Sequence, residues 1–554
     1  MNAFTPDLAA PRWNRLGAKR DAALARARAV SPTREIPPER IVELLEAVIE
    51  PGDRLCIEGN NQKQADFLAR ALVQTDPRRV RGLHLVQSVL ALPEHVDIIE
   101  RGQVERIDFS FSGPQAGRLA RLVEGGQIAI GAIHTYLELF ARYFVDLTPN
   151  VALVAAQAAD RHGNLYTGPN TEDTPVIVEA TAFKGGIVIA QVNEIVDVLP
   201  RVDIPADWVN FHVRAPTPHY VEPLFTRDPA IITETQVLTA MMAIKLYAEY
   251  GIRRLNHGIG FDTAAIELLL PTYGEELGLR GKVCTHWALN PHPTLIPAIE
   301  AGWVESVHCF GSEVGMERYV AARPDVFFVG ADGNLRSNRA MSQAAGHYAC
   351  DCFIGSTLQI DLQGNSSTAT KGRIAGFGGA PNMGADARGR RHASPTWLKA
   401  GAEARAPGAM PRGQKLVIQT VETFREQMQP TFVETLDAWA LAEASGMDLP
   451  PVMIYGDDLT HVITEDGIAN LLLCRSAEER EQAIRGVAGY TPVGLARDRQ
   501  AVENLRDRGV IRRPEDLGID VRRATRDLLA ARSIKDLVHA SGGLYDPPKK
   551  FRNW

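Results

Sequence analysis

Gly376, Gly378, Gly379 and Asn382 fall together in Gly376-Phe-Gly-Gly-Ala-Pro-Asn382, the densest cluster of potential backbone donors in the chain. Glycine leaves its N–H uncovered by a side chain, so such a loop can approach a ligand carbonyl closely and stabilise negative charge that develops on its oxygen. Asn382 adds a side-chain donor. A tight turn between core elements is the competing reading. A second place of this kind is Gly59-Asn60-Asn61, which follows the short apolar run Arg54 to Glu58 and precedes the helix-like stretch Gln62 to Leu72. Strand, small-residue turn and helix in that order leave N–H groups open at a helix amino terminus.

Several common chemistries lack their residues. There is no GxxxxGK[ST] loop, and neither Gly258-Ile-Gly260 nor Gly376-Phe-Gly378 completes GxGxxG, so a dehydrogenase reading loses its best support. A GxSxG serine is also missing. His347, Cys350 and Cys352 form a CxC without a second pair, so buried thiols and no metal are expected.

Around these residues the chain alternates short apolar runs with amphipathic stretches. An amphipathic pattern at Glu39 to Glu50 precedes the first run. Leu83 to Gln87, Val151 to Gln157, Val176 to Glu179 and Ile187 to Val192 read as strands, and Thr135 to Phe144 as a helix. The plan recurs after Pro229: helix Gln236 to Tyr250, the segment Leu255 to Gly260, helix Thr263 to Leu270, then strands Lys282 to Thr285, Val326 to Val329, Phe353 to Ile360, Lys415 to Gln419 and Pro451 to Tyr455. This predicts an α/β chain of two tandem open, mostly parallel domains. The boundaries are a basic N-terminal arm (1–30), a first domain (31–228), a second domain (229–515) and a C-terminal tail (516–554). The Gly-, Ala-, Pro- and Arg-rich stretch 384–414 reads as a mobile insertion at the active site. From Ser476 to Ser533 charges of both signs recur on helical spacing, as in a solvated helical appendage.

The 554 residues carry a net charge of −7, with Lys+Arg 60 against Asp+Glu 67. No global excess of positive charge points to nucleic acid or to an anionic membrane, so any anion must be bound locally. The exception is the arm, where Arg12, Arg15, Lys19, Arg20, Arg26 and Arg28 stand against Asp21. It is a solvated helix face or a docking surface for an acidic partner. Six scattered cysteines, no signal-peptide h-region and no apolar run near the ~18 residues of a membrane span predict a reduced, cytoplasmic protein.

Four motifs carry a resemblance. Asn256-His-Gly-Ile-Gly, Ile360-Asp-Leu-Gln-Gly364, Gly376-Phe-Gly-Gly-Ala-Pro-Asn and Val462-Ile-Thr-Glu-Asp-Gly-Ile-Ala-Asn470 resemble, in order, landmarks of the acyl-CoA:carboxylate CoA-transferase superfamily, which has paired α/β domains. With Ala155-Ala-Gln-Ala-Ala-Asp-Arg-His-Gly-Asn164 and Arg12-Trp-Asn-Arg15, nearly the whole chain resembles the α-subunit family of malonate decarboxylase. The resemblance implies an enzyme that transfers a carrier thiol: acetyl-S-carrier plus malonate gives malonyl-S-carrier plus acetate. Decarboxylation then belongs to other subunits. It implies no cofactor bound by the chain itself, a CoA-derived pantetheine group on an acyl carrier protein subunit in the site, and CoA as an alternative occupant. The implied partners are that carrier and the decarboxylase subunits of a multi-subunit complex.

At one place the chain departs from the superfamily. CoA-exchanging members place a nucleophilic glutamate just after the strand that follows the GIG segment, where this chain reads Val283-Cys-Thr-His286-Trp. His286 takes that place by rough register, and Glu313 lies one strand later. With no protein carboxylate there, malonate itself would attack the acetyl thioester and pass through a mixed anhydride. Under this reading Asn60, Gly378 and Gly379 stabilise the oxyanion and His286 donates to a carboxylate. Gly59, Asn61, Gly376 and Asn382 line the substrate and CoA pocket, Arg336 and Arg339 either take malonate's second carboxylate or form surface ion pairs, and Glu465 either orients a loop or caps one. The alternatives are a free-standing CoA-transferase or acyl-CoA hydrolase, and a scaffold subunit without chemistry.

Overall fold

Short apolar runs separated by amphipathic helices build two sheets, one after the other. The computed structural model describes residues 17–60, 63–552 and 554. Asn61, Arg12 and Arg15 lie outside the described residues. In the first half, strands β1 (Arg54–Ile57), β2 (Leu83–Val89), β3 (Val104–Phe111), β4 (Ala129–Ile133), β5 (Val151–Asp160), β6 (Ile187–Val196) and β7 (Phe211–Arg214) stand in the order β7-β6-β5-β1-β2-β3-β4, with every neighbour parallel. β5 begins Val-Ala-Leu-Val-Ala-Ala and is buried along nearly its whole length, the composition of a strand covered on both faces.

The second half repeats the plan with β8 (Arg254–His257), β9 (His286–Ala288), β10 (Ser306–His308), β11 (Cys352–Gly355), β12 (Leu416–Thr420), β13 (His461–Thr464), β14 (Gly467–Asn470) and β15 (Ile511–Arg512). Their order is β10-β9-β8-β11-β12-β13-β14-β15, parallel as far as β13 and antiparallel beyond it. Two tandem α/β units are thus present. They share apolar packing, because one buried cluster holds Leu85 and Phe109 of the first sheet together with Phe353, Ile360 and Val462 of the second half. Each such side chain contributes on the order of 1.5–3 kcal/mol by leaving water.

Several expected elements differ. Val176 to Glu179 lies inside the helix Thr174–Phe183, where Pro175 opens the first turn and the β-branched run packs under β5 and β6. Lys282 to Thr285 is a turn and not a strand: Cys284 takes a positive φ of 57°, and β9 begins only at His286. Val326 to Val329 and Pro451 to Tyr455 contribute isolated bridges, Val307 to Phe327 and Ser366 to Ile454. The stretch 384–414 contains the helix Pro395–Glu403, capped by Ser394, with Trp397 buried and Thr396 bonded to the Tyr250 carbonyl at 2.9 Å. It packs on the back of the second half and lines no part of the cavity described below.

The described part of the arm is the helix Gly17–Val30. It lies on the helix Ile41–Val48 with Ala23 and Ala27 buried, Lys19 pairs with Asp53 and Glu50, and Arg26 bonds the Ala47 carbonyl at 2.7 Å and Glu50 at 2.8 Å. Those two charges are therefore matched within the chain. Helices Ala477–Val487 and Arg499–Asp507 cover β14 and β15. Among the described residues no helix is long and apolar enough to cross a membrane.

Candidate active site

The carboxyl ends of the two sheets meet around one cavity of about 450 Å³. Phe111 at the end of β3 and Tyr136 after β4 come from the first sheet. His257 and Gly258 after β8, Asn290 and His292 after β9, Phe310 after β10, and Ser356 and Thr357 after β11 come from the second. Parallel sheets place their binding crevices at this edge.

The glycine loop closes the cavity and joins the halves. Phe377 N–H and Gly378 N–H both donate to the Ser110 carbonyl (2.6 and 3.0 Å), Ser112 N–H donates to Ala375 (2.9 Å), and Tyr136 N–H donates to Gly378 (3.1 Å). Gly376 (φ 75°) bridges Phe111, and any Cβ there would collide with the Ser110 carbonyl oxygen. A Cβ on Gly379 would lie 2.6 Å from the Gln343 amide. The loop therefore needs glycine for close approach and left-handed backbone. The Gly378 N–H, expected to face an oxyanion, is already bonded within the chain, whereas no described residue accepts from the Gly379 N–H.

Among the described lining residues there are three arginines, Arg227, Arg339 and Arg373, and no Asp, Glu, Lys or Cys. Arg339 opens the helix Arg339–Tyr348, is 6 % exposed, pairs with Glu172 and stacks over the Tyr136 ring at 4.7 Å. Its Nε and the Oε1 of Gln343 are buried without a protein partner, as expected of groups awaiting a ligand or water. Arg373 is exposed on the hairpin that leads into the glycine loop. Arg227 is half-buried and makes no ion pair within the described chain.

Behind the wall, Glu267 takes a hydrogen bond from each of two lining histidines, at His257 Nδ1 and His292 Nδ1, both 3.0 Å, and one from Thr294 at 2.5 Å. His257 Nε2 meets the Tyr247 hydroxyl at 3.0 Å. Burial opposes ionisation of Glu267, but His292 and His257 outweigh it and hold the carboxyl well below its usual range. Burial pushes the His257 imidazole down. The His292 ring stacks on Phe225 with centroids 5.0 Å apart. At His292 the carboxylate on Nδ1 fixes the ring and leaves Nε2 for the cavity, the usual arrangement of an oriented acid or base.

The family described as "Malonate decarboxylase, alpha subunit, transporter" matches residues 12–554. The chain belongs to the malonate decarboxylase α-subunit family. It is 63% identical over 529 residues, 95% of this chain and 96% of the relative, to the acetyl-S-ACP:malonate ACP transferase of Malonomonas rubra. Among solved structures it is similar to a chain of the Pseudomonas malonate decarboxylase hetero-tetramer in complex with malonate (59% identity, TM-score 0.95, 98% of this chain and 100% of that one). The malonate decarboxylase α subunit of Acinetobacter baumannii is also similar (56% identity, TM-score 0.92, 96% and 99%). The putative citrate lyase α subunit of Streptococcus mutans shares the fold at 15% identity and a TM-score of 0.59.

In this malonate decarboxylase α-subunit chain the sequence-based candidates separate. Gly376, Gly378, Gly379 and Arg339 meet at the cavity. His286 does not. It starts β9, at the opposite end of the sheet from the cavity, 44% exposed and 3.7 Å from Glu305. The strand begins after Val283-Cys284-Thr285 rather than on it, so the position just past its end holds Leu289 and Asn290. Arg336 pairs with Asp332 at 2.9 Å, outside the cavity. Asn382 is consumed by Thr135 and by the Gln343 carbonyl (3.2 Å), which ties the loop to the first half. Glu465 accepts from the Thr423 N–H at 3.1 Å and from its hydroxyl, holding the loop after β12 away from the cavity. Glu313 is fully buried and accepts from Thr226 N–H and hydroxyl, both at 3.0 Å.

Gly59 is buried against His95, and Asn60 pairs with Lys63 in a two-residue hairpin. The residues that sequence reasoning passed over are His292, Asn290, Arg227, Tyr136 and Glu267. Only Asn290-Pro-His292, a polar triplet closing an apolar run, carried a signal that could have found its members.

Proposed function

We propose that this chain exchanges acetate for malonate on the thiol of an acyl carrier protein, as the name of its Malonomonas relative describes. The observation that carries the reading is the cavity itself, whose described lining residues include three arginines and no carboxylate. Such a site suits an anion and, among its described residues, offers no acidic side chain with which to attack a thioester. The incoming carboxylate must then be the nucleophile. A malonate oxygen adds to the acetyl carbonyl, the C–S bond breaks, and the carrier leaves as thiolate from an acetyl-malonyl anhydride. That thiolate adds to the malonyl carbonyl and acetate departs with the bridging oxygen. The Gly379 N–H is the donor this chain offers to the oxyanions, typically worth a few kcal/mol, and His292, whose Nδ1–H donates to Glu267, adds a second only as the imidazolium.

The extended cavity between the sheets suits the pantetheine chain of a CoA-derived prosthetic group on the carrier, with CoA as a smaller substitute. The carrier and the decarboxylase subunits are the partners of this reading, supported by the hetero-tetramer to which the Pseudomonas relative belongs. All six cysteines are unpaired, which fits the cytoplasm. The test mixes the chain with acetylated carrier and malonate and follows carrier mass. Malonyl carrier is the expected product. Hydrolysis to free carrier, or transfer only to soluble CoA, would sink the reading.

A further inference from the structure

We infer that Arg227 is the residue that makes this site select a dicarboxylate, by pairing with the carboxylate of the bound acid that does not react. The inference rests on the transferase reading above. In that reaction malonate and acetate compete for one nucleophile position and differ only by a second carboxylate, so discrimination needs a cation beside that position.

The three lining arginines are not equivalent. Arg339 already faces Glu172 and the Tyr136 ring, so its charge is offset before any ligand enters. Arg373 is exposed at the cavity's rim. Arg227 lines the cavity half-buried, in the segment Leu224-Phe225-Thr226-Arg227, whose Phe225 ring packs on His292. Its Nη1 donates to the Leu224 carbonyl and, at 3.3 Å, to that of Thr226, and its guanidinium sits 5.8 Å from the Phe261 ring centroid. These contacts hold the plane and leave the remaining N–H groups for a ligand.

Burial is the main influence on this group and pushes it down, with the Glu313 and Glu267 carboxylates opposing. Both carboxylates have nearer partners: Thr226 for Glu313, and His257, His292 and Thr294 for Glu267. A half-buried guanidinium without an ion pair carries a desolvation cost that an entering carboxylate offsets. The planar fork suits bidentate binding of that group. Acetate lacks the second carboxylate and cannot use the fork, so the exchange is biased toward malonate entry.

The experiment compares wild type, Arg227→Gln and Arg227→Lys, all shown folded by circular dichroism. Three quantities are read: malonate binding by calorimetry, formation of malonyl carrier, and exchange of labelled acetate into acetyl carrier. Arg227→Gln should weaken malonate binding at least 30-fold and lower kcat/KM for malonate at least 30-fold more than it lowers acetate exchange. Arg227→Lys should recover part of the preference. Equal losses in both reactions, or undiminished malonate binding by Arg227→Gln, would overturn the inference. A wild type that binds malonate through Arg227 yet makes no malonyl carrier would instead overturn the transferase reading and leave the carboxylate site standing.

Discussion

The Gly378 N–H donates to the Ser110 carbonyl at 3.0 Å, and the Phe377 N–H shares the same acceptor at 2.6 Å, so the glycine loop of the second half is bonded to the end of β3 in the first. Gly378 holds φ 59° there, with Tyr136 at 3.4 Å from any added Cβ. Gly378→Val is expected to cut transfer at least 100-fold, because a β-branched residue resists this backbone region. Left-handed backbone costs a non-glycine residue roughly 1–2 kcal/mol, so the variant should remain folded. Near-normal turnover in a folded Gly378→Val protein would show that the loop is only a turn. Gly376→Val, which collides with the Ser110 carbonyl, should lower the thermal midpoint further.

His292 and His286 give opposite expectations. Losing an oriented acid or base commonly costs about 10²-fold or more, so His292→Ala should fall by that much. His286→Ala should stay within about threefold of wild type. Steady-state rates on the carrier substrate separate the two, and the reverse ranking would remove the Glu267–His292 pair from the mechanism.

Glu267 is shared by two buried imidazoles and a threonine. Replacing it by glutamine takes the charge from between them, and removing one partner of a buried pair typically costs about 3–5 kcal/mol. Glu267→Gln should lower the thermal midpoint by several degrees. Because its folded-state carboxyl is held below the usual value, the stability it contributes is present above about pH 4.5 and fades in more acidic solution. The variant should therefore lose less stability than wild type on acidification.

Asp262 behaves in the opposite sense. Burial first, and then the Glu422 carboxylate, push it up to about 7 from the ordinary 3.8. The folded chain binds this proton more tightly than the unfolded one, so the stabilisation is complete below about pH 4 and is lost as pH rises through 7. Asp262→Asn keeps a neutral side chain of the same shape at every pH. It should flatten the fall in thermal midpoint between pH 5 and pH 8, and an unchanged slope would place the titration elsewhere.

Direct attack by malonate predicts the absence of a glutamyl intermediate. Glu313→Gln should keep appreciable activity, initial-rate plots for acetyl carrier and malonate should intersect as for a ternary complex, and borohydride should trap no reduced glutamate. Recovery of one by peptide mass mapping after incubation with acetyl-CoA would restore a covalent route.

Much of this architecture is legible where local chemistry and tertiary structure agree. The glycine loop stands out because Gly376, Gly378 and Gly379 serve close approach and left-handed backbone, which no other residue type supplies cheaply. The helix Glu234–Tyr250 ends on Gly251 in the left-handed region, as its sequence implies. Local signal fails where tertiary context takes over. Val283-Cys284-Thr285 has the composition of a strand but turns at Cys284, and that slip of a few residues leaves His286 at the start of β9 rather than past its end, where Leu289 and Asn290 lie. Pro175-Val-Ile-Val178 has strand composition yet packs as a helix. Arg227 lies in an aperiodic connection between the halves, and only the folded cavity distinguishes it from a solvated arginine. Asn382 has the makings of a donor to ligand, whereas its amide closes contacts to Thr135 and Gln343.

A cavity whose walls come from both sheets has a thermodynamic side. Any occupant that touches Tyr136 and Phe111 on one wall and Arg227 or His292 on the other is absent from the state in which the halves have come apart, so its binding free energy is added to the docking of the halves. At a hundred times its dissociation constant that increment is about 2.7 kcal/mol. Such a ligand would act as a removable staple, and an empty chain would be the form most prone to splay, proteolysis or mis-assembly.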